Sequence, residues 1–216
     1  MNNRSRALLL NSIPSVANLS DAMGQLGLKF HTMHSRIRPV FTPVHVSGPA
    51  YTVQCYPGAT WALEEAIEKA PRGSLLVVDG GNYTEAVLMG ELMSGRAAKR
   101  GVAGAIIDGA VRDTAMLRKV RWPIFASGIT PRAGTFDKLG AQQITVSCGG
   151  VVVSPGDLIV ADDDGIVVVP SRRSVEVIER ARHIEEKERF LASAIRKNLS
   201  LAKGVAGYNR KSGTNK

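Results

Sequence analysis

The sequence predicts an α/β protein folded as one domain around a mixed sheet or a sandwich-like barrel core. Three observations carry this. Up to residue 132, apolar strand-like runs alternate with helical patterns. Residues 133–170 are almost all short Val/Ile runs and turns. One long helical pattern then closes the chain. The 216 residues suffice for a well-buried core, and no internal repeat or linker divides them.

In chain order, Ile13-Pro14 leads into SVANLSDAMGQLG. Asn18 or Ser20 is a candidate cap for a short helix, Asp21 falls in its first turn, Gly24 weakens it and Gly27 ends it. Residues 31–43 read as irregular chain. His31 and His34 stand three apart there with no suitable third ligand nearby, so they are not read as a metal site. Residues 44–56 alternate like a strand, with Gly48-Pro49 as a break. Residues 59–70 read as an amphipathic helix with Trp61, Ala62, Ala66 and Ile67 as its apolar stripe, ended by Pro71-Arg72-Gly73. A strand over 75–78, a helix over 90–99 and a strand over 105–107 follow.

Turn signals then recur at Gly149-Gly150, Ser154-Pro155-Gly156-Asp157 and Asp163-Asp164-Gly165, the last a hairpin signal. Asp162-Asp163-Asp164 lacks the remaining ligands and closing Glu of a calcium loop and is read as part of that turn. Residues 171–198 form one helical pattern, capped by Ser171 or Ser174, with Val177, Ile178, Ala181, Ile184, Leu191 and Ile195 on its stripe. The stripe puts Glu188 between Ile184 and Leu191, where a carboxylate needs a partner or a cation; the alternative is an edge Glu reaching solvent or a nearby base. From Gly204 the composition is that of a disordered end. The expected division is a domain over 1–203 and a basic tail over 204–216.

Composition excludes several classes. Hydrophobic content of 44% with 22% charged residues is ordinary for a globular protein, and no apolar run approaches a membrane span. The patch Ala7-Leu8-Leu9-Leu10 is too short for a signal-peptide core and no small-residue cleavage site follows, so the chain is read as cytoplasmic. Cys55 and Cys148 each sit in a strand-like run and are read as buried thiols. The net charge of +9 is terminal: Arg4, Arg6 and six basic residues after Phe190 account for eight charges and leave +1 for residues 7–190. With aromatics at 5%, this is read as a solvated tail and not a nucleic-acid surface.

The chemistry concentrates between Ser74 and Arg132. In a βαβ unit, ligands bind beyond the carboxyl ends of the strands. The loop expected after Val78, the loop after Ile107 and the helix start at Gly90-Glu91-Leu92-Met93 all fall there. Free N–H groups at a helix start favour an anion. Arg112 offers a planar fork for a carboxylate or phosphate, and Asp113 a hard oxygen for a divalent cation. This set suits a small 2-oxo acid chelated to a metal that polarises its keto oxygen, with Arg112 stabilising the enolate. From spacing alone the alternative stands: a surface ion pair, or Asp113 capping the helix TAMLRKV.

Several motifs in combination resemble the RraA-like superfamily, which joins the regulator of ribonuclease activity A to the 4-hydroxy-4-methyl-2-oxoglutarate (4-carboxy-4-hydroxy-2-oxoadipate) aldolases. They are SDAMGQLG, VVDGG, GELMSGRAAKRGVAGAIIDGAVRD, PIFASGITPR and VSPGDLIVADDDGIVVVP, spanning roughly residues 13–201. The resemblance implies an αββα sandwich with a swivelling-domain-like mixed β core and a long C-terminal helix, assembled as a homotrimer or a dimer of trimers. It puts substrate binding on the Gly90, Glu91, Leu92 and Met93 turn and on Arg112, and the metal, Mg²⁺ or Mn²⁺, on Asp113. It makes Arg112, Glu91 and Glu188 the catalytic residues. Glu188 would come from a neighbouring subunit, with Glu185 or Glu186 as the fallback.

The implied activity is that of a class II pyruvate aldolase acting on a 4-hydroxy-2-oxo acid, with oxaloacetate decarboxylation as a side activity. His31, Arg36, Arg38 and Asn82 are candidates to line the distal end of the substrate. The implied alternative is a non-catalytic regulator that binds a ribonuclease or another protein. Inhibitor members resemble a version truncated before the C-terminal helix, which this chain retains. The methyltransferase name given to some members finds no G-x-G-x-x-G here, only Gly80-Gly81.

Overall fold

A computed structural model describes residues 13–212. Its elements are α1 (Val16–Gln25), β1 (Arg38–Pro39), β2 (His45–Gln54), α2 (Trp61–Lys69), β3 (Leu75–Met89), α3 (Glu91–Arg100), β4 (Gly104–Val111), α4 (Thr114–Val120) and β5 (Ile124–Ile129). These are followed by β6 (Ala141–Gln142), β7 (Val146–Cys148), β8 (Val151–Val153), β9 (Leu158–Asp162), β10 (Ile166–Val169), α5 (Ser174–Arg196) and α6 (Leu201–Ser212). The sheet order is β1-β5-β4-β3-β2-β9-β10, with β6 on β2, and β7-β8 form a separate hairpin. Strands β2 to β5 run parallel through the centre.

The layers follow from which strand face each side chain takes. Leu76, Val78, Ala105 and Ile107 face a core shared with α2 and α3. Their neighbours Leu75, Val77 and Ile106 face a second core against β7–β10. The outer face of β9 and β10 (Leu158, Val160, Val167, Val169) packs on α1 and α5. This is the expected αββα sandwich. Strand β2 joins its two sheets: residues 45–49 pair with β9 and residues 50–54 with β3, so Gly48-Pro49 marks a change of partner and not a break. Gly48 is required by contact, since a Cβ there would lie 2.3 Å from the Gly73 carbonyl oxygen.

Other expectations are corrected. Strand β3 does not end at Val78 but continues to Met89, slipping register against β4 after Asp79. The first helix is capped by Ser15, whose hydroxyl accepts from the Asn18 N–H, so Asn18, Ser20 and Asp21 lie inside the helix. Helix α5 is preceded by a 3₁₀ turn (Ser171–Arg173), and neither Ser171 nor Ser174 caps it; the Ser174 hydroxyl donates to the Ser171 carbonyl instead. The expected tail carries α6, which packs Tyr208 edge-on to Phe190 and Gly204 against Leu191 and Ala194, so the far end of the α5 stripe has a partner in its own chain. The Ala7-to-Leu10 patch, Arg4, Arg6 and Lys216 lie outside the described residues.

The acidic turn behaves as read. Asp162 accepts from the Val16 and Asp164 N–H groups and Asp163 from that of Val44, tying the β9–β10 turn to α1 and β2. Among the described residues no helix is long and apolar enough to cross a membrane. Both cysteines are buried free thiols. Burial pushes the Cys55 thiol up from its ordinary 9.0 to about 12, and Cys148 is pushed up by burial and then by the nearby Asp108 and Asp79 carboxylates. A thiol whose folded value is raised stabilises the fold fully below its unfolded value and loses that contribution as pH rises through the folded one. Denaturant midpoints should therefore fall between pH 9.0 and about 12, and a thiol-reactive dye at neutral pH should label neither cysteine until urea is added.

Candidate active site

The site is built where β3 and β4 end side by side. Strand β3 closes at Met89, Gly90 is the N-cap, and α3 begins at Glu91. Strand β4, buried along its whole length, delivers Arg112 and Asp113 as the first and second residues beyond its end. The Arg112 N–H donates to the Met89 carbonyl (3.1 Å), which locks the two exits together. Asp113 has φ +58°, a left-handed conformation that Asp tolerates better than most residues.

That turn decides what Asp113 does. It occupies the N-cap position of α4 but makes no side-chain cap there. Its Oδ2 instead accepts the Glu91 N–H at 3.1 Å, across the sheet edge, and lies 3.6 Å from Arg112 Nε. The capping alternative is thus set aside; the expected surface ion pair with Arg112 is present, and Asp113 is in addition attached to the start of α3. No side chain of its own chain segment caps α3, whose N-cap is glycine; the Ser94 hydroxyl and N–H both turn back to the Gly90 carbonyl. The Leu92 and Met93 amides are left as first-turn donors without an intrahelical acceptor. Gly90 is extended (φ −135°, ψ −163°), a conformation open to any residue. It is glycine for space: a Cβ would lie 2.6 Å from Asp113 Oδ2 and 3.1 Å from Arg112 Cγ.

These residues line one side of a cleft of ≈ 840 Å³. The structure brings together Gly90, Glu91, Leu92, Met93, Arg112 and Asp113, all six foreseen from the sequence. It does not bring Glu188 to them within one chain. Glu188 is exposed on α5, as is Glu186, and Glu185 is half-buried in a separate depression with Ile13 and Arg189. Nor do His31, Arg36, Arg38 or Asn82 line the cleft. Arg36 instead grips Asp108, which is 3% exposed, on the opposite face of the sheet (Nη2–Oδ2 2.9 Å), and Asp108 also accepts the Gly149 N–H at 2.8 Å. Arg36→Ala would leave that carboxylate with one N–H donor. The expected loss is about 2 kcal/mol, read by urea denaturation.

The opposite wall was missed from sequence. It comes from Thr60, Trp61, Glu64, Glu65 and Glu68 on and before α2, with Arg96 from α3 and Phe136 from the loop after β5. The spacing 61, 64, 65, 68 is one face of a helix, and α2 is the crossover between parallel β2 and β3, so that face borders the same sheet edge. That signal was present in the sequence. The approach of Phe136 was not, because it depends on the long-range Thr60 N–Thr135 O and Val87 N–Arg132 O bonds (2.9 and 3.0 Å).

The donor set fits a hard divalent cation. Asp113 offers Oδ1 beside an oxygen already oriented by a backbone N–H, in a space that a Cβ at position 90 would fill. Among the described residues no three His, Cys, Asp or Glu side chains converge as a cage. One carboxylate with the remaining positions left to water and substrate is how Mg²⁺ is commonly held.

Comparisons agree with this architecture. A protein of Halalkalibacterium halodurans, provisionally named 4-hydroxy-4-methyl-2-oxoglutarate aldolase, is 33% identical over 188 residues, covering 87% of each chain. An uncharacterized protein from Pseudomonas syringae pv. tomato superposes with a TM-score of 0.80 at 30% identity, over 88% of this chain and 92% of that one. The RNA-processing inhibitor RraA from Thermus thermophilis superposes at 0.64 and 26% identity, over 70% and 92%. The RraA-like family, described as Aldolase/RraA, matches residues 16–168, from the first helix into β10 and across every residue of the Gly90–Arg112–Asp113 corner, and the chain belongs to it.

Proposed function

We propose that this chain is a divalent-metal-dependent pyruvate aldolase that cleaves a 4-hydroxy-2-oxo acid, with oxaloacetate decarboxylation as a side activity. The observation that carries the reading is the attachment of Asp113 to the α3 start beside Arg112, which puts an anion-binding end, a guanidinium and a hard oxygen at one point. The α3 amides and Arg112 hold the substrate's C1 carboxylate and the oxygen at C2. Asp113 holds the metal, Mg²⁺ or Mn²⁺, which when bound supplies Lewis acidity at the keto oxygen.

In the cleavage, the 4-hydroxyl loses its proton, the C3–C4 bond breaks, C4 becomes a carbonyl, and the electron pair moves into the enolate of pyruvate. C3 then takes a proton. Arg112 stabilises the enolate oxygen as its charge grows. The Glu91 carboxylate, which has no partner among the described residues, borders the cleft where a proton is to be moved. Glu188 of a neighbouring copy is the second proton-handling carboxylate in a homotrimer or dimer of trimers, acting in the cytoplasm. This is consistent with its exposure on a helix that its own site does not use.

The test is coupled detection of pyruvate from 4-hydroxy-4-methyl-2-oxoglutarate, 4-hydroxy-2-oxopentanoate and oxaloacetate with Mg²⁺ or Mn²⁺. Release that is abolished by chelator and restored by metal is expected. No release from any of them would favour the regulator reading.

A further inference from the structure

The end of α5 presents two features beyond Glu188. The first is an apolar face. Glu188, Ala192 and Ile195 stand at i, i+4 and i+7, on one side of the helix. Helix α6 covers the adjoining side, at Phe190, Leu191 and Ala194. It leaves Ala192 exposed and Ile195 55% exposed, with Leu199 also exposed just past the helix end. The second feature is charge. Residues 189–212 hold six cations and no acid, and Arg196 and Lys197 are exposed beside Ile195. A solvated tail accounts for the charge but not for an apolar face at its root.

The cleft carries the complement of both. Its lining holds five carboxylates against two guanidiniums, and three of the carboxylates, Glu64, Glu65 and Glu68, come from α2. The same lining holds two exposed apolar side chains: Leu92, 86% exposed in the first turn of α3, and Phe136, 61% exposed. The proposed function, on which this inference rests, brings Glu188 of one copy to the Asp113 corner of another. A lone carboxylate is opposed by that surplus of acid, whereas one that arrives with cations is not. Helix geometry supplies the cations within reach. At 1.5 Å per residue, Arg196 and Lys197 lie about 12 Å along the helix from Glu188, so they overlie the cleft walls when Glu188 is inside.

We propose that the end of α5, with α6 packed behind it, docks on the cleft of a second copy of this chain. Ala192, Ile195 and Leu199 meet Leu92 and Phe136, and Arg196 and Lys197 face Glu64 and Glu65. The basic end of the chain is then an assembly element that completes a neighbour's site, and α6 selects the docking face by covering the other one.

The test replaces Ile195, an exposed position, with a photo-reactive phenylalanine analogue in the full chain. Illumination is expected to give a covalent dimer on a denaturing gel, with the cross-link mapped by mass spectrometry to residues 61–68, 91–96 or 133–136. Arg196→Glu with Lys197→Glu is expected to lower the dimer yield at least about fivefold, and adding Glu64→Lys with Glu65→Lys to restore most of it. A monomeric protein, cross-links within one chain only, or a dimer linked outside the cleft would overturn the docking. A yield that the reversed charges leave unchanged in a folded protein, or that the second pair does not restore, would overturn the pairing with α2. None of these readouts uses substrate. The mapped cross-link in a protein that releases no pyruvate would count against the aldolase reading and leave the interface standing. Pyruvate release without the cross-link would do the reverse.

Discussion

Asp113→Ala should reduce metal-stimulated pyruvate release by on the order of 10³ in kcat/KM while leaving the thermal midpoint close to that of the parent. Its side chain is 41% exposed and makes one hydrogen bond, to the Glu91 N–H, so the folding loss is about 1 kcal/mol or less. The activity loss is large because two functions end together: the oxygen offered to the metal, and the link that holds the start of α3 against Arg112. Asp113→Asn separates them. It keeps an oxygen for the Glu91 N–H but removes the charge, so a protein with native stability and little activity is expected. Full activity in Asp113→Ala would remove this residue from the metal site.

Gly90→Ala should cost about 10²-fold in kcat/KM with the fold intact. The backbone at position 90 is extended and accepts alanine without strain. The added Cβ meets Asp113 Oδ2 at 2.6 Å and Arg112 Cγ at 3.1 Å, which are side-chain atoms that can swing aside. Stability therefore changes by only about 0.5 kcal/mol, while the two side chains that the chemistry needs are displaced. The readout is a steady-state assay paired with thermal unfolding. A variant with parent-like kinetics would mean that the corner is looser than its packing implies.

Much of this arrangement was legible in the sequence, for physical reasons that differ from element to element. Period-2 and period-3.6 patterns located β4, α2 and α5 because each buries one consistent face or is buried throughout. The helix start at Gly90 and the Arg112-Asp113 pair after β4 were legible as local signals, but spacing alone left the pair open to a surface ion pair or a cap, and the family resemblance carried its role. Local signals failed where tertiary pairing decided the outcome. Strand β3 runs to Met89 because β4 continues to pair with it beyond Asp79. Gly48-Pro49 stays within β2 because the strand changes partner there. Helix α6 forms where the composition reads as disordered because Phe190 and Leu191 offer it an apolar surface. Arg36 was a candidate for the cleft, and only the fold could place it on Asp108, behind the sheet.

One measurement bears most directly on the central claim: a crystal structure of the oligomer grown with Mn²⁺ and pyruvate. The account predicts metal density on Asp113, the pyruvate carboxylate on Arg112 and the first-turn amides of α3, and a Glu188 side chain from a neighbouring copy facing the same point. Pyruvate or metal bound away from the Gly90, Arg112 and Asp113 corner would contradict it.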